Sequence, residues 1–122
     1  MQAVLLVTGG ALGTYLRYVI SGLVQPAGDG AFPFGTLAVN VSGALIAGVA
    51  TTLLLERTAL PTELRTALFV GVLGGYTTFS AFSVETLALA NAGQWGYAAL
   101  NIAVSVSGAL LAVWAGQTVA RL

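Results

Sequence analysis

Residues 71–83 read Gly71-Val72-Leu73-Gly74-Gly75-Tyr76-Thr77-Thr78-Phe79-Ser80-Ala81-Phe82-Ser83. Two adjacent glycines followed by two β-branched threonines make a poor helix interior, so the pattern predicts an interrupted helix. An interruption frees carbonyl oxygens at the end of one half-helix and N–H groups at the start of the next. The carbonyls can hold a cation, and the N–H groups attract an anion. Hydroxyls from Thr77, Thr78, Ser80 and Ser83 lie in the same stretch. Phe79 and Phe82 are three residues apart and share a helix face, and the positive edge of an aromatic ring can meet an anion. Each feature also has a plain structural reading. Hydroxyls in membrane helices often bond the carbonyl one turn back, threonines can cap a kink, and paired phenylalanines often only pack.

Other polar residues sit in apolar surroundings. Asn40 lies within Val39-Asn40-Val41-Ser42, and its amide offers two donors and an acceptor. It is either a donor to an anion or a hydrogen bond between helices. Asn101 and Ser105 are one turn apart and can line one track, with Ser107 close by. Arg17 either marks the mouth of an anion path or snorkels to the interface. Glu85 is a neutral group, a partner of Arg17 or a proton-coupling carboxylate. The chain has no His and no Cys, so it lacks the side chain that best titrates near neutral pH, the commonest metal ligand and all thiol chemistry. Hydroxyl and amide protons can replace the water around a small hard anion. The carboxylate ring that cation channels often use is missing from the middle of the apolar stretches. The residues lean toward conduction of a small ion, an anion, rather than catalysis.

The elements that must hold these groups are four membrane helices. Of 122 residues, 57% are hydrophobic and 7% charged, against roughly 25% charged in a soluble domain. So short a chain leaves much of its surface uncovered, and that surface must face lipid. A crossing takes about 20 apolar residues. Four such stretches run from about Ala3 to Val24, Pro33 to Leu55, Leu64 to Ala90 and Trp95 to Val119, so residues 1–122 read as one four-span membrane domain. Their continuous apolar character does not fit the alternation of a β-barrel. Gln25-Pro26-Ala27-Gly28-Asp29-Gly30 is turn chemistry, Pro33 suits a first helical turn, and Trp95 and Tyr97 suit an interface. The opening MQAVLLVTGG lacks the basic region of a secretory signal and reads as the start of the first span.

Arg57, Arg65 and Arg121 fall on one side with the N-terminus, and Arg17 lies nearer the other. Taken alone, this bias places the N-terminus in the cytoplasm. Small residues recur at helical spacing in Gly9-x-x-x-Gly13, Gly71-x-x-x-Gly75, Gly43-x-x-x-Ala47 and Ala44-x-x-x-Gly48, which lets helices approach closely in lipid. Four helices make a thin wall for a polar path, so an oligomer is expected, most simply a dimer.

Three segments together resemble the Fluc (CrcB) family of fluoride channels. They are Gly9-Gly10-Ala11-Leu12-Gly13 with Arg17-Tyr18, then Phe32-Pro33-Phe34-Gly35-Thr36-Leu37 leading to Val39-Asn40 and Gly43, then Gly74 to Ser83 with Glu85. Their order and spacing cover nearly the whole chain, and the fourth span is the least distinctive. The resemblance implies an all-α membrane protein whose third helix is broken at mid-membrane, assembled as an antiparallel, dual-topology homodimer in the cell inner (plasma) membrane. It implies two fluoride pores per dimer and a central structural sodium ion (Na+). By position, the family's sodium-holding backbone carbonyls fall on Gly74 and Thr77 of each subunit. Its pore residues fall on Asn40, Phe79, Phe82, Ser80 and Ser105, and its span-one arginine, at the vestibule, on Arg17. The family often has Thr between the Ser and the second Phe, where this chain has Ala81, so one hydroxyl of that stretch is lost. The implied role is passive export of fluoride.

Two other readings stay open at this level. A small proton-coupled four-helix multidrug exporter needs a titratable carboxylate deep in a span, typically the first; here Glu85 is the only candidate, late in the third. A non-transporting membrane scaffold would carry the same packing glycines but has no need of the Gly74–Ser83 pattern.

Overall fold

The structure, a computed structural model, is described for residues 1–27 and 32–122. Gly28, Asp29 and Gly30 of the expected turn lie outside the described residues. Within them there is no strand, and four segments are long and apolar enough to cross a membrane: Gln2–Val24, Phe34–Glu56, Thr62–Asn91 and Trp95–Arg121, the first to fourth spans. Large apolar side chains such as Leu23, Val70, Leu87 and Leu110 stand exposed on the outer faces. Such a surface is stable against hydrocarbon, where the apolar groups lose nothing by exposure.

Proline sets two of the helix starts. Pro33 and Pro61 precede the first helical residues, and their carbonyls accept from Leu37 N–H (3.1 Å) and Arg65 N–H (3.0 Å). Two stretches wind more widely, with π-helical hydrogen bonding, over Thr51–Glu56 and Ala67–Leu73. Such turns are rare and gather at functional sites. The second of them leads directly into the Gly74-Gly75 segment.

The spans pack as two principal pairs. The first lies along residues 67–76 of the third, and the second lies along the fourth. In the first pair, glycine meets backbone from both sides. A Cβ on Gly9 would stand 2.8 Å from the Ala67 carbonyl oxygen, and one on Gly75 would stand 2.7 Å from that of Gly10. In the second pair, Gly48 and Gly116 face the carbonyls of Val113 and Leu45 so closely that neither tolerates a side chain. Gly48→Val should therefore force the second and fourth spans apart. The expected cost is roughly 1–3 kcal/mol, the usual cost of overpacking. It should be read as a lower thermal midpoint in detergent, and an unchanged midpoint would contradict this packing.

At the membrane end where the second span finishes, charges cluster. Arg121 Nη2 lies 3.0 Å from Glu56 Oε1, and Arg57 Nη2 donates to the Arg121 carbonyl at 3.1 Å. Both members of the ion pair are about half exposed, so it contributes little to stability.

Candidate functional site

The third span is helical to Tyr76 and again from Phe79 to Asn91. Between them Thr77 (φ −89°, ψ 156°) and Thr78 (φ −151°, ψ 113°) have extended backbone. Two extended residues turn the Thr78 N–H and C=O out of the helix axis, where they need other partners. Asn40 of the second span supplies both. Its Nδ2 donates to the Thr78 carbonyl (3.0 Å), and its Oδ1 accepts from the Thr78 N–H (2.7 Å). A backbone N–H can only donate, so this pairing fixes the orientation of the amide. One Nδ2 proton is left over for a further acceptor.

Side chains close the remaining gaps. The Thr78 hydroxyl caps the second half-helix by accepting from Ala81 N–H at 3.1 Å, the geometry expected of a threonine N-cap. The Ser80 hydroxyl lies 3.2 Å from the same oxygen. The Leu73 carbonyl receives both the Thr77 N–H (3.0 Å) and its hydroxyl (2.8 Å). Tyr76 is buried, and its hydroxyl lies 2.9 Å from Ser42 Oγ. Ser42 gives its own proton to the Ala38 carbonyl at 2.6 Å, so Tyr76 is the donor.

A groove of about 520 Å³ opens on this side of the molecule. Asn40, Gly74, Thr77, Phe79, Phe82 and Ser105 all line it. The two rings are 5.3 Å apart between centroids and tilted by 41°. Phe82 is buried, whereas Phe79 is 77% exposed, so lipid or a second chain must complete the surroundings of Phe79. Behind Ser105, hydrogen bonds run through Asn101 to Thr86 and the Phe82 carbonyl.

Arg17 lies elsewhere. It lines a smaller groove of about 330 Å³ with Thr14, Thr36, Ala81 and Glu85. Thr78 lines both grooves and separates them. Glu85 takes its hydrogen bond from the Thr36 hydroxyl (2.8 Å), and its other carboxylate oxygen is buried without a partner among the described residues. Ser80 is on the walls of neither groove and acts locally on Thr78.

With this arrangement in place, comparison with known proteins decides the family. Residues 4–117 match the family described as CrcB-like protein, Camphor Resistance (CrcB). The chain belongs to the CrcB family. Similar proteins are named fluoride-specific ion channel FluC. That of Rhodospirillum rubrum is 45% identical over 100% of this chain and 96% of its own length. That of Geobacter sulfurreducens is 46% identical over 92% and 90%, and that of Magnetococcus marinus is 43% identical over 100% and 99%. This CrcB chain is thus a multi-pass membrane protein.

The donor set of the CrcB chain suits a hard monovalent cation better than a transition metal. Thr78 N–H, the usual helical partner of the Gly74 carbonyl, goes to Asn40 instead. Gly74 is exposed and Thr77 half-buried. Among the described residues no three His, Cys, Asp or Glu side chains come together. Neutral carbonyl oxygens are ligands that fit Na+.

Thr78, Thr86 and Asn101 are the residues whose part in this CrcB site the sequence understates. Nothing in the spacing reveals that Thr78 faces Asn40, which is 38 residues away. Thr86 is identifiable only as a polar residue in an apolar run; the spacing puts Asn101 and Ser105 on one track, but only Ser105 lines the groove, and Asn101 is buried behind it.

Proposed function

We propose that this protein is a fluoride-selective channel that lets fluoride leave the cell passively across the inner membrane, and that it is not an enzyme. The observation that carries this reading is similarity at 43–46% identity, over nearly full length, to proteins named fluoride-specific ion channels. The groove is compatible with it. Fluoride is small and strongly hydrated, and a pore must replace its water with neutral donors that let it leave again. The free Asn40 proton and the ring edges of Phe79 and Phe82 are such groups; the Ser105 hydroxyl, also on the groove wall, joins them when it turns from Asn101, and Ser80 only if it turns from Thr78. Arg17, in its own groove, would draw anions to a vestibule.

In this reading the whole chain is one four-span domain and the Thr77–Thr78 interruption lies at mid-membrane depth. Two chains insert antiparallel as a homodimer with two pores. Backbone carbonyls of Gly74 and Thr77 from each subunit would hold a structural Na+. The ion supplies fixed positive charge at the centre of the assembly. The exposed Phe79 ring and the open groove support a covering partner. The three-to-one arginine bias is weak enough for both orientations to occur.

Purified protein in liposomes tests the function with a fluoride electrode. Rapid fluoride efflux with chloride retained is the expected result; no efflux of either ion would overturn it. Glu85→Gln separates the channel from a proton-coupled exporter. The channel reading expects conduction to survive with at most about a tenfold loss, the size of one net hydrogen bond, here that to Thr36. Complete loss of transport with the dimer intact would favour the exporter.

A further inference from the structure

Asn101 is 2% exposed, the most deeply buried amide side chain of the groove's surroundings. It does not line the groove, but Ser105, one turn further along the same helix, does. The direction of every proton in this corner follows from counting donors. Thr86 has one hydroxyl proton, and the Phe82 carbonyl takes it at 2.6 Å. The Thr86 oxygen can then only accept, so the group 2.8 Å away must be Asn101 Nδ2. That orientation turns Asn101 Oδ1 toward Ser105, whose hydroxyl donates to it at 3.1 Å. The only proton Ser105 owns is therefore held inside the helix packing, and the groove meets the oxygen lone pairs.

We propose that Asn101 is a positioning residue that competes with the permeating anion for the Ser105 proton and so keeps fluoride binding weak enough for fast release. The inference rests on the channel reading, with Ser105 on the fluoride route. A fluoride arriving at Ser105 gains a hydrogen bond only if the hydroxyl rotates away from Asn101, and the broken bond is subtracted from the affinity. When the anion leaves, the hydroxyl swings back. No proton is transferred, and Ser105 stays neutral throughout. Conduction needs sites that release as readily as they bind, and a donor already engaged inside the protein meets that need without adding charge. Thr86 sets the direction of the whole chain, because its engaged proton prevents the Asn101 amide from turning round.

The test measures fluoride efflux from liposomes against fluoride concentration. In Asn101→Leu the half-saturating concentration should fall roughly two- to fivefold, part of the value of one net neutral hydrogen bond. Ser105 would then have only the backbone carbonyl one turn back to turn to, a weaker competitor for its proton. The same substitution in a Ser105→Ala background should leave half-saturation where Ser105→Ala alone puts it. Thr86→Val makes the test without touching Asn101, since the amide can then turn its Nδ2 toward Ser105. It should also lower half-saturation, and it stands in if the leucine variant does not fold. A lower maximal rate with half-saturation unchanged or raised would make Asn101 a packing residue only and overturn the proposal. So would an equal shift in both backgrounds. Wild-type liposomes that retain fluoride would instead overturn the channel reading, and this inference with it.

Discussion

Liposomes carrying Asn40→Ala should lose fluoride about a hundredfold more slowly than wild type, the effect of two hydrogen bonds at roughly 1.4 kcal/mol each. The substitution removes the donor to the Thr78 carbonyl and the acceptor of its N–H together. Thr78 is 8% exposed, so water does not readily replace them, and an unpaired buried peptide group is penalised in full. The two extended residues should then relax toward continuous helix, drawing Phe79 and Phe82 away from the groove. Asn40→Asp separates the structural from the conducting contribution. It keeps an acceptor for Thr78 N–H but removes the donor and places a carboxylate beside an anion route. It should fold and assemble better than the alanine variant and conduct no better. An Asn40→Ala channel working within a factor of three of wild type would refute the role assigned to this amide.

Exchanging both rings in Phe79→Ile/Phe82→Ile should slow efflux about tenfold to a hundredfold, taking each quadrupolar contact at roughly 0.5–1.5 kcal/mol. Isoleucine keeps an apolar side chain of comparable bulk, and such swaps usually cost under about 1.5 kcal/mol of stability. Assembly should survive while flux falls. Of the single variants, Phe82→Ile should cost more stability than Phe79→Ile, because Phe82 is buried against its neighbours and Phe79 is not. Full fluoride flux in the double variant would leave the rings as packing groups.

The four spans were legible because nothing but lipid accommodates such long apolar runs in so small a chain. The glycine faces were legible for a related reason. Gly9, Gly13, Gly71 and Gly75 recur at the spacing of one helix face, and in the fold they bring the first span against the third. Partners across helices were not legible. For Asn40, both a donor to an anion and a bond between helices were open from sequence, and the structure gives it a helix-to-helix bond with one proton to spare. Three pairings, Ser42 with Tyr76, Thr36 with Glu85 and Asn101 with Thr86, depend on the rotation and depth of each helix. Hydrophobic periodicity leaves both undetermined when helices are apolar on all sides. The π-helical turns over Thr51–Glu56 and Ala67–Leu73 have no propensity signature either. They shift which faces meet beyond them, and so sequence spacing alone does not divide Arg17 from the groove of Phe79 and Ser105.

The Asn40 side chain turns one donor and one acceptor, in the same plane, to Thr78, as a peptide unit would. In effect, the third helix borrows its missing rung from a neighbour. The interruption therefore belongs to two segments at once: the third span's glycines and threonines prepare it and cap it locally, and the second span completes it. Residues 74–83 transplanted into a foreign bundle would leave the Thr78 peptide group unpaired unless an amide were transplanted at matching height. A designer wishing to build a discontinuous membrane helix would start from the neighbour and fit the gap to it.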